Sequence, residues 1–236
     1  MKWKFFALLA GGCLLWAGIA TCGRDGSVVQ EVRSKHPAGY DYLLYRPQTT
    51  STAPLPLVVY LHGSGEIGRG VSVLKKRNPC HWAKEKAGVF PFILAAPPAT
   101  REGWNSDKIV RLVERLCRDE RIDPDRVYLT GFSMGGGAAF RIAGDRPDLF
   151  AAIVPVAGGA HPMNADALRN MPVWAFHGET DETIPLFHSS DMIDAIRESG
   201  NTEAKLTVLP DTGHGIAAEV YSRPELYQWM FQHRRK

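Results

Sequence analysis

Six short apolar runs recur along this chain, and almost none of them alternates with polar residues. They are "PLVVYLHG" (56–63), "VFPFILAAPP" (89–98), "RVYLTG" (126–131), "FAAIVPVAGG" (150–159), "PVWAFHG" (172–178) and "AKLTVLP" (204–210). A strand with one face in water alternates apolar with polar, whereas a strand covered on both faces reads as a continuous apolar run. Between these runs lie segments with helical periodicity. "DKIVRLVERLCRDE" (107–120) carries Ile109, Leu112, Val113 and Leu116 on one face, with Ser106 placed to cap it. "GGAAFRIAGD" (136–145), "LFHSSDMIDAIRESG" (186–200) and "AEVYSRPELYQWMFQHRR" (218–235) follow, the last broken or restarted at Pro224. Strands alternating with helices build βαβ units, hence an α/β domain with a mostly parallel sheet flanked by helices. Upstream, "SVVQEVRS" (27–34) and "YDYLLYRP" (40–47) alternate more and suggest an antiparallel hairpin at the sheet's edge. No repeat or low-complexity tract divides the chain, and "PQTTSTAPLP" (47–56) reads as a surface loop, so residues 23–236 are expected to form one catalytic domain.

The first 22 residues stand apart. "MKWK" followed by "FFALLAGGCLLWAGIA" has the basic start and apolar stretch of an export signal, and the run is shorter than the roughly 20 residues needed to span a bilayer. "IATC" resembles the lipobox of bacterial lipoproteins, with Thr21 departing from the usual small residue. Plain cleavage and acylation at Cys22 therefore both stay open, and both place the protein outside the cytoplasm, either periplasmic, secreted or membrane-anchored. The membrane is a partner only through that lipid. The chain carries 28 basic and 25 acidic residues, and removing Lys2 and Lys4 leaves 26 against 25. With "KKR" (75–77) and "RRK" (234–236) its densest basic runs, nucleic acid is excluded as an expected partner. Cys80 and Cys117 remain in an oxidising compartment, where either a disulfide or a buried apolar role for Cys117 is open.

The chemistry is carried by "VYLTGFSMGGGAAF" (127–140). Gly131-Phe132-Ser133-Met134-Gly135 fits G-x-S-x-G, a sharp strand-to-helix turn that projects a serine beyond the sheet. The pattern alone is weak, matching about one chain in ten of this length by composition. Its position, where an apolar strand meets a helix, is what distinguishes it from a plain glycine-rich turn. A serine hydroxyl needs a base, and an acid to orient that base, in the chain order Ser, Asp or Glu, His. "FHGETDETIP" (176–185) offers Asp181, with Glu179 and Glu182 as competitors, and "LPDTGHG" (209–215) offers His214 beside Asp211. His62 and His177 end strands and read as shaping loops; His161 and His188 are less constrained. For an oxyanion, the backbone N–H of Met134 is one donor, and "LHGSGEIG" (61–68) offers Ser64, or Gly65, as the second.

These motifs in order, with "GWNS" (103–106) between them, resemble the extracellular esterase branch of the α/β-hydrolases. That branch includes feruloyl and acetylxylan esterases, polyhydroxybutyrate depolymerase-like proteins and predicted peptidases or phospholipase/carboxylesterases. The resemblance runs from about residue 40 to the C-terminus. It implies an α/β-hydrolase fold without a large lid domain, Ser133 as nucleophile, Asp181 as acid, His214 as base and Trp104 near the acyl pocket. It implies no metal or organic cofactor, and an ester substrate, small or polymer-linked. "GHGIAAEVY" departs from relatives that carry an aromatic shortly after the histidine. The expected activity is an exported serine esterase. A peptidase using the same three residues, and a non-catalytic surface lipoprotein, are the alternatives.

Overall fold

The computed structural model describes residues 20–22, 28–34, 39–77, 79–85 and 92–235; the expected export signal up to residue 19 and the start of the predicted run at 89–98 lie outside them. Among the described residues nine strands form one sheet: β1 (Ala20–Cys22), β2 (Val28–Val32), β3 (Tyr42–Arg46), β4 (Leu55–Leu61), β5 (Ile93–Ala96), β6 (Ile122–Phe132), β7 (Ala152–Val156), β8 (Val173–Gly178) and β9 (Ala204–Leu209). Their order is β1-β2-β3-β5-β4-β6-β7-β8-β9, antiparallel from β1 to the β3–β5 pairing and parallel from β5 onward.

The apolar runs are continuous because both sheet faces are covered. In β4, Leu57, Val59 and Leu61 pack on one face with Ile109, Val113, Phe140 and Ile193, from α2 (Ser106–Asp119), α3 (Met134–Asp145) and α4 (Phe187–Glu198). Val58 and Tyr60 point to the other face, toward Ala83, Val220, Leu226 and Met230, from α1 (Cys80–Glu85), α5 (Ala217–Tyr221) and α6 (Pro224–Gln232). Pro224 occupies the first turn of α6, where its missing N–H costs nothing, so the C-terminal helix restarts there. Among the described residues no helix is long and apolar enough to cross a membrane.

Several expectations change in detail. The hairpin is present as β2–β3, but β2 is flanked by β1, from the last three of the 22 residues expected to be an export signal. β6 begins earlier than expected because "DPDR" is absorbed in a bulge: Leu55 pairs with Ile122, yet Leu57 already pairs with Val127. Pro124, which has no N–H for the ladder, sits within that irregularity. β7 stops at Val156 because Ala157 adopts φ 45° and turns the chain. The cap of α2 is Asn105, not Ser106: Asn105 Oδ1 accepts the Lys108 N–H at 3.0 Å. The Ser106 hydroxyl is already occupied, donating to Asp145 (2.6 Å) and accepting from Arg141 (2.5 Å). Cys80 and Cys117 are free and belong to the apolar clusters on opposite faces of the sheet, so they cannot bridge. Burial pushes the Cys80 thiol up to about 12, which leaves it inert as a nucleophile.

Candidate active site

Ser133 stands between the last residue of β6 and the first of α3, at φ 56° and ψ −118°. A non-glycine residue in left-handed space is strained, and here the neighbours over-determine it. Ser133 N–H donates to Val156 O at 2.8 Å, which ties the turn to β7. A Cβ added at Gly135 would lie 2.0 Å from the Leu61 carbonyl oxygen, and one at Gly131 would lie 2.3 Å from the Gly135 oxygen. Backbone meets backbone at these contacts, so neither side can yield. Gly135→Ala is expected to destabilise the protein by about 3 kcal/mol or more. For a chain of this size that lowers Tm by about 6–12 °C. Thermal unfolding reads it directly, and a Tm shift under about 2 °C would reject this packing of the turn.

Two loops at the carboxyl ends of β8 and β9 bring the other groups to the serine. His214 Nδ1 lies 2.7 Å from Asp181 Oδ2, and His214 Nε2 lies 2.8 Å from Ser133 Oγ. The carboxylate can only accept, so Nδ1 carries the proton and Nε2 is left to accept the serine O–H. The other Asp181 oxygen, Oδ1, accepts the N–H groups of Thr183 and Ile184, each at 2.9 Å. Burial pushes this carboxyl up, but the hydrogen bonds from His214, Ile184 and Thr183, with the His214 charge, outweigh that and hold it below the ordinary carboxylate range. The loops interlock through Thr180 N–H to Thr212 O at 3.0 Å and Glu179 N–H to Leu209 O at 2.9 Å. Glu179 accepts the Asp211 N–H instead of meeting the histidine, and Glu182 is exposed. Asp211, three residues before His214, sits at φ 53°, and it is Asp181 that His214 meets.

The β4 loop supplies the third wall. A Cβ at Gly63 would lie 3.4 Å from Ser133 Cβ, so the loop backbone abuts the nucleophile turn. Ser64 opens a 3₁₀ turn, Ser64–Glu66, that includes Gly65, while Met134 opens α3. The first N–H groups of such turns lack internal partners and are available to an anion. His62 fixes this loop from below: Nδ1 donates to Gly63 O at 2.7 Å and Nε2 accepts the Ala99 N–H at 2.8 Å. Burial pushes its pKa down, and the Gly63 bond and Glu66 only partly offset that, so the neutral tautomer these bonds require is favoured. Trp104 is buried beneath the same loop. Its indole N–H donates to His62 O at 3.2 Å and its ring meets the His62 ring edge-on at 4.9 Å. It is not among the residues lining the cavity beside Ser133; its side chain supports the loop.

That cavity, about 420 Å³, runs between α3, α4 and the loop after β7. Its apolar lining includes Met134, Phe140, Ile184 and Met192, and its polar lining Arg141, His161 and Asn164. Among the described residues no cluster of three or more His, Cys, Asp or Glu could hold a metal ion. One contact escaped the sequence reading: His177, four residues before Asp181, brings Nε2 to 3.2 Å from Asp181 Oδ2.

The sequence profile of the dienelactone hydrolase family matches residues 100–227. The chain is 30% identical over 163 residues to "Putative esterase NocK" of Nocardia uniformis subsp. tsuyamanensis, covering 60% of this chain and 46% of that one. It is 24% identical over 218 residues to "Probable feruloyl esterase C" of Aspergillus terreus, covering 86% and 78%. The chain thus spans less than half of the first of these relatives. Among solved structures, a thermostable esterase superposes with a TM-score of 0.75 at 24% identity, over 92% of this chain and 63% of the other, which establishes the shared α/β-hydrolase architecture.

Proposed function

Because this chain belongs to the dienelactone hydrolase family, we propose that it is an exported serine hydrolase of carboxylic esters. The observation that carries the reading is the hydrogen-bonded series Asp181–His214–Ser133, with links of 2.7 and 2.8 Å at the mouth of a cavity. In this mechanism His214 Nε2 takes the Ser133 proton as Oγ attacks the ester carbonyl carbon. The resulting oxyanion is stabilised by the N–H groups of Met134 and of Ser64 or Gly65. His214 then returns the proton to the departing alkoxide oxygen, leaving an acyl-Ser133 and free alcohol. Water, deprotonated by His214, attacks the acyl carbonyl; as the acyl–Oγ bond breaks, His214 returns that proton to Ser133 Oγ and the acid is released. Asp181 stays ionised throughout, fixing the histidine tautomer and stabilising the imidazolium. No step calls on a metal or cofactor.

The cavity is at the small end of ligand sites, and its apolar lining suits a small or medium acyl group. Longer alkyl chains would desolvate Arg141, His161 and Asn164 without giving them partners. Feruloyl esters enter as a candidate class through one relative's name. The expected result with p-nitrophenyl esters from acetate to decanoate is Ser133-dependent hydrolysis, faster on butyrate or hexanoate than on decanoate. Failure of a serine-directed fluorophosphonate to label the intact protein would overturn the reading. Export rests on the leader, and the mass of the mature N-terminus separates plain cleavage from acylation at Cys22.

A further inference from the structure

Two peptide units, His62–Gly63 and Gly63–Ser64, carry the β4 loop past the serine turn, and each has its carbonyl held by a buried side chain. The Trp104 indole N–H donates to His62 O at 3.2 Å, and His62 Nδ1 donates to Gly63 O at 2.7 Å. A trans peptide sets its N–H opposite its C=O, so a held carbonyl also aims the N–H on the other edge. Holding Gly63 O therefore fixes the direction of the Ser64 N–H, and holding His62 O fixes the plane that leads into it. Trp104 is itself tied down. Its carbonyl accepts from Arg141 Nη2 at 2.6 Å, and Arg141 belongs to α3, the helix that Met134 opens. The indole is buried, and its ring packs against the Tyr40 ring at 6.1 Å as well as against His62.

We propose that Trp104 is a positioning residue that sets the spacing of the two oxyanion donors by acting through His62. Those donors come from different elements, the turn after β4 and the start of α3. Trp104 spans them: its N–H holds the first through His62 O, and its C=O is anchored to the second through Arg141. It touches no reacting atom. This inference rests on the Ser133–His214–Asp181 reading and deepens its oxyanion step.

The test compares p-nitrophenyl butyrate with its thiono analogue, in which C=S replaces C=O. Sulfur is larger and a weaker hydrogen-bond acceptor, so donors placed for an oxyanion favour the oxo ester. Trp104→Phe keeps an aromatic ring and removes the N–H. It is expected to lower kcat on the oxo ester by about 10–100-fold with KM within about twofold, the scale of a misplaced oxyanion donor. Its kcat/KM on the thiono ester should fall by less than about threefold, so the oxo-over-thiono preference of the wild type narrows. That ratio does not depend on how much of the enzyme is folded. Benzothienylalanine placed at position 104 keeps the bicyclic shape without the N–H, and should narrow the preference as well. Equal losses on both esters, an unchanged kcat in either variant, or no oxo preference in the wild type would each overturn the inference. Ser133→Ala, measured alongside, keeps the outcomes apart: activity surviving there overturns the triad reading, whatever the Trp104 variants do.

Discussion

Ser133→Ala is expected to lower kcat toward carboxylic esters by about 10⁵–10⁶-fold, the loss seen when a hydrolase nucleophile of this type is removed. The size follows from chemistry that no neighbour can take over. Removing Oγ deletes the atom that forms the acyl bond, and the reaction left over is attack by water. Residual turnover above the uncatalysed rate would come from the oxyanion donors and substrate binding. The fold should not suffer, because alanine meets the same φ 56° strain as serine, and the Ser133 N–H bond to Val156 O does not involve the side chain. An unchanged Tm beside a lost kcat is therefore the expected pair. Hydrolysis at the wild-type rate by a pure, folded Ser133→Ala protein would place the nucleophile elsewhere.

The parallel half of the sheet was legible because its physics is local. A run such as Leu57-Val58-Val59-Tyr60-Leu61 needs cover on both faces, and that requirement is written in consecutive residues. What escaped the sequence reading depends on distant partners. Asn105 and Ser106 are both competent caps, and the choice is made by Arg141 and Asp145, which engage the Ser106 hydroxyl from α3. Trp104 is held by the His62 carbonyl, a partner 42 residues away in sequence. The serine, aspartate and histidine that chain order selected lie in one hydrogen-bonded series, since each ends a strand of a parallel sheet and all such ends face one way. Glu179 and Glu182 stood as competitors to Asp181 in the same loop. The discrimination came from loop packing, in which Gly178 admits the β9 loop so closely that a Cβ there would lie 2.2 Å from Gly213 O.

Asp181→Asn is expected to lower kcat by about 10⁴-fold, as the same exchange does in a serine protease, while leaving KM largely unchanged. The surrounding donors dictate how the new amide sits. Oδ1 faces two backbone N–H groups, from Thr183 and Ile184, so the amide oxygen must take that place. The amide NH₂ is then forced into the place of Oδ2, where His214 Nδ1 stands at 2.7 Å and His177 Nε2 at 3.2 Å. Donor would face donor. His214 resolves this by moving its proton to Nε2, which points at Ser133 Oγ and can no longer accept the serine proton. The opposite flip would set the amide NH₂ against two backbone N–H groups that cannot rearrange. A proton-detected spectrum of the imidazole should therefore show Nδ1 without its proton in the variant. Wild-type kcat with the Nδ1 proton retained would show that Asp181 does not set the tautomer, and would shift the acid's role to another group on the β8 or β9 loop.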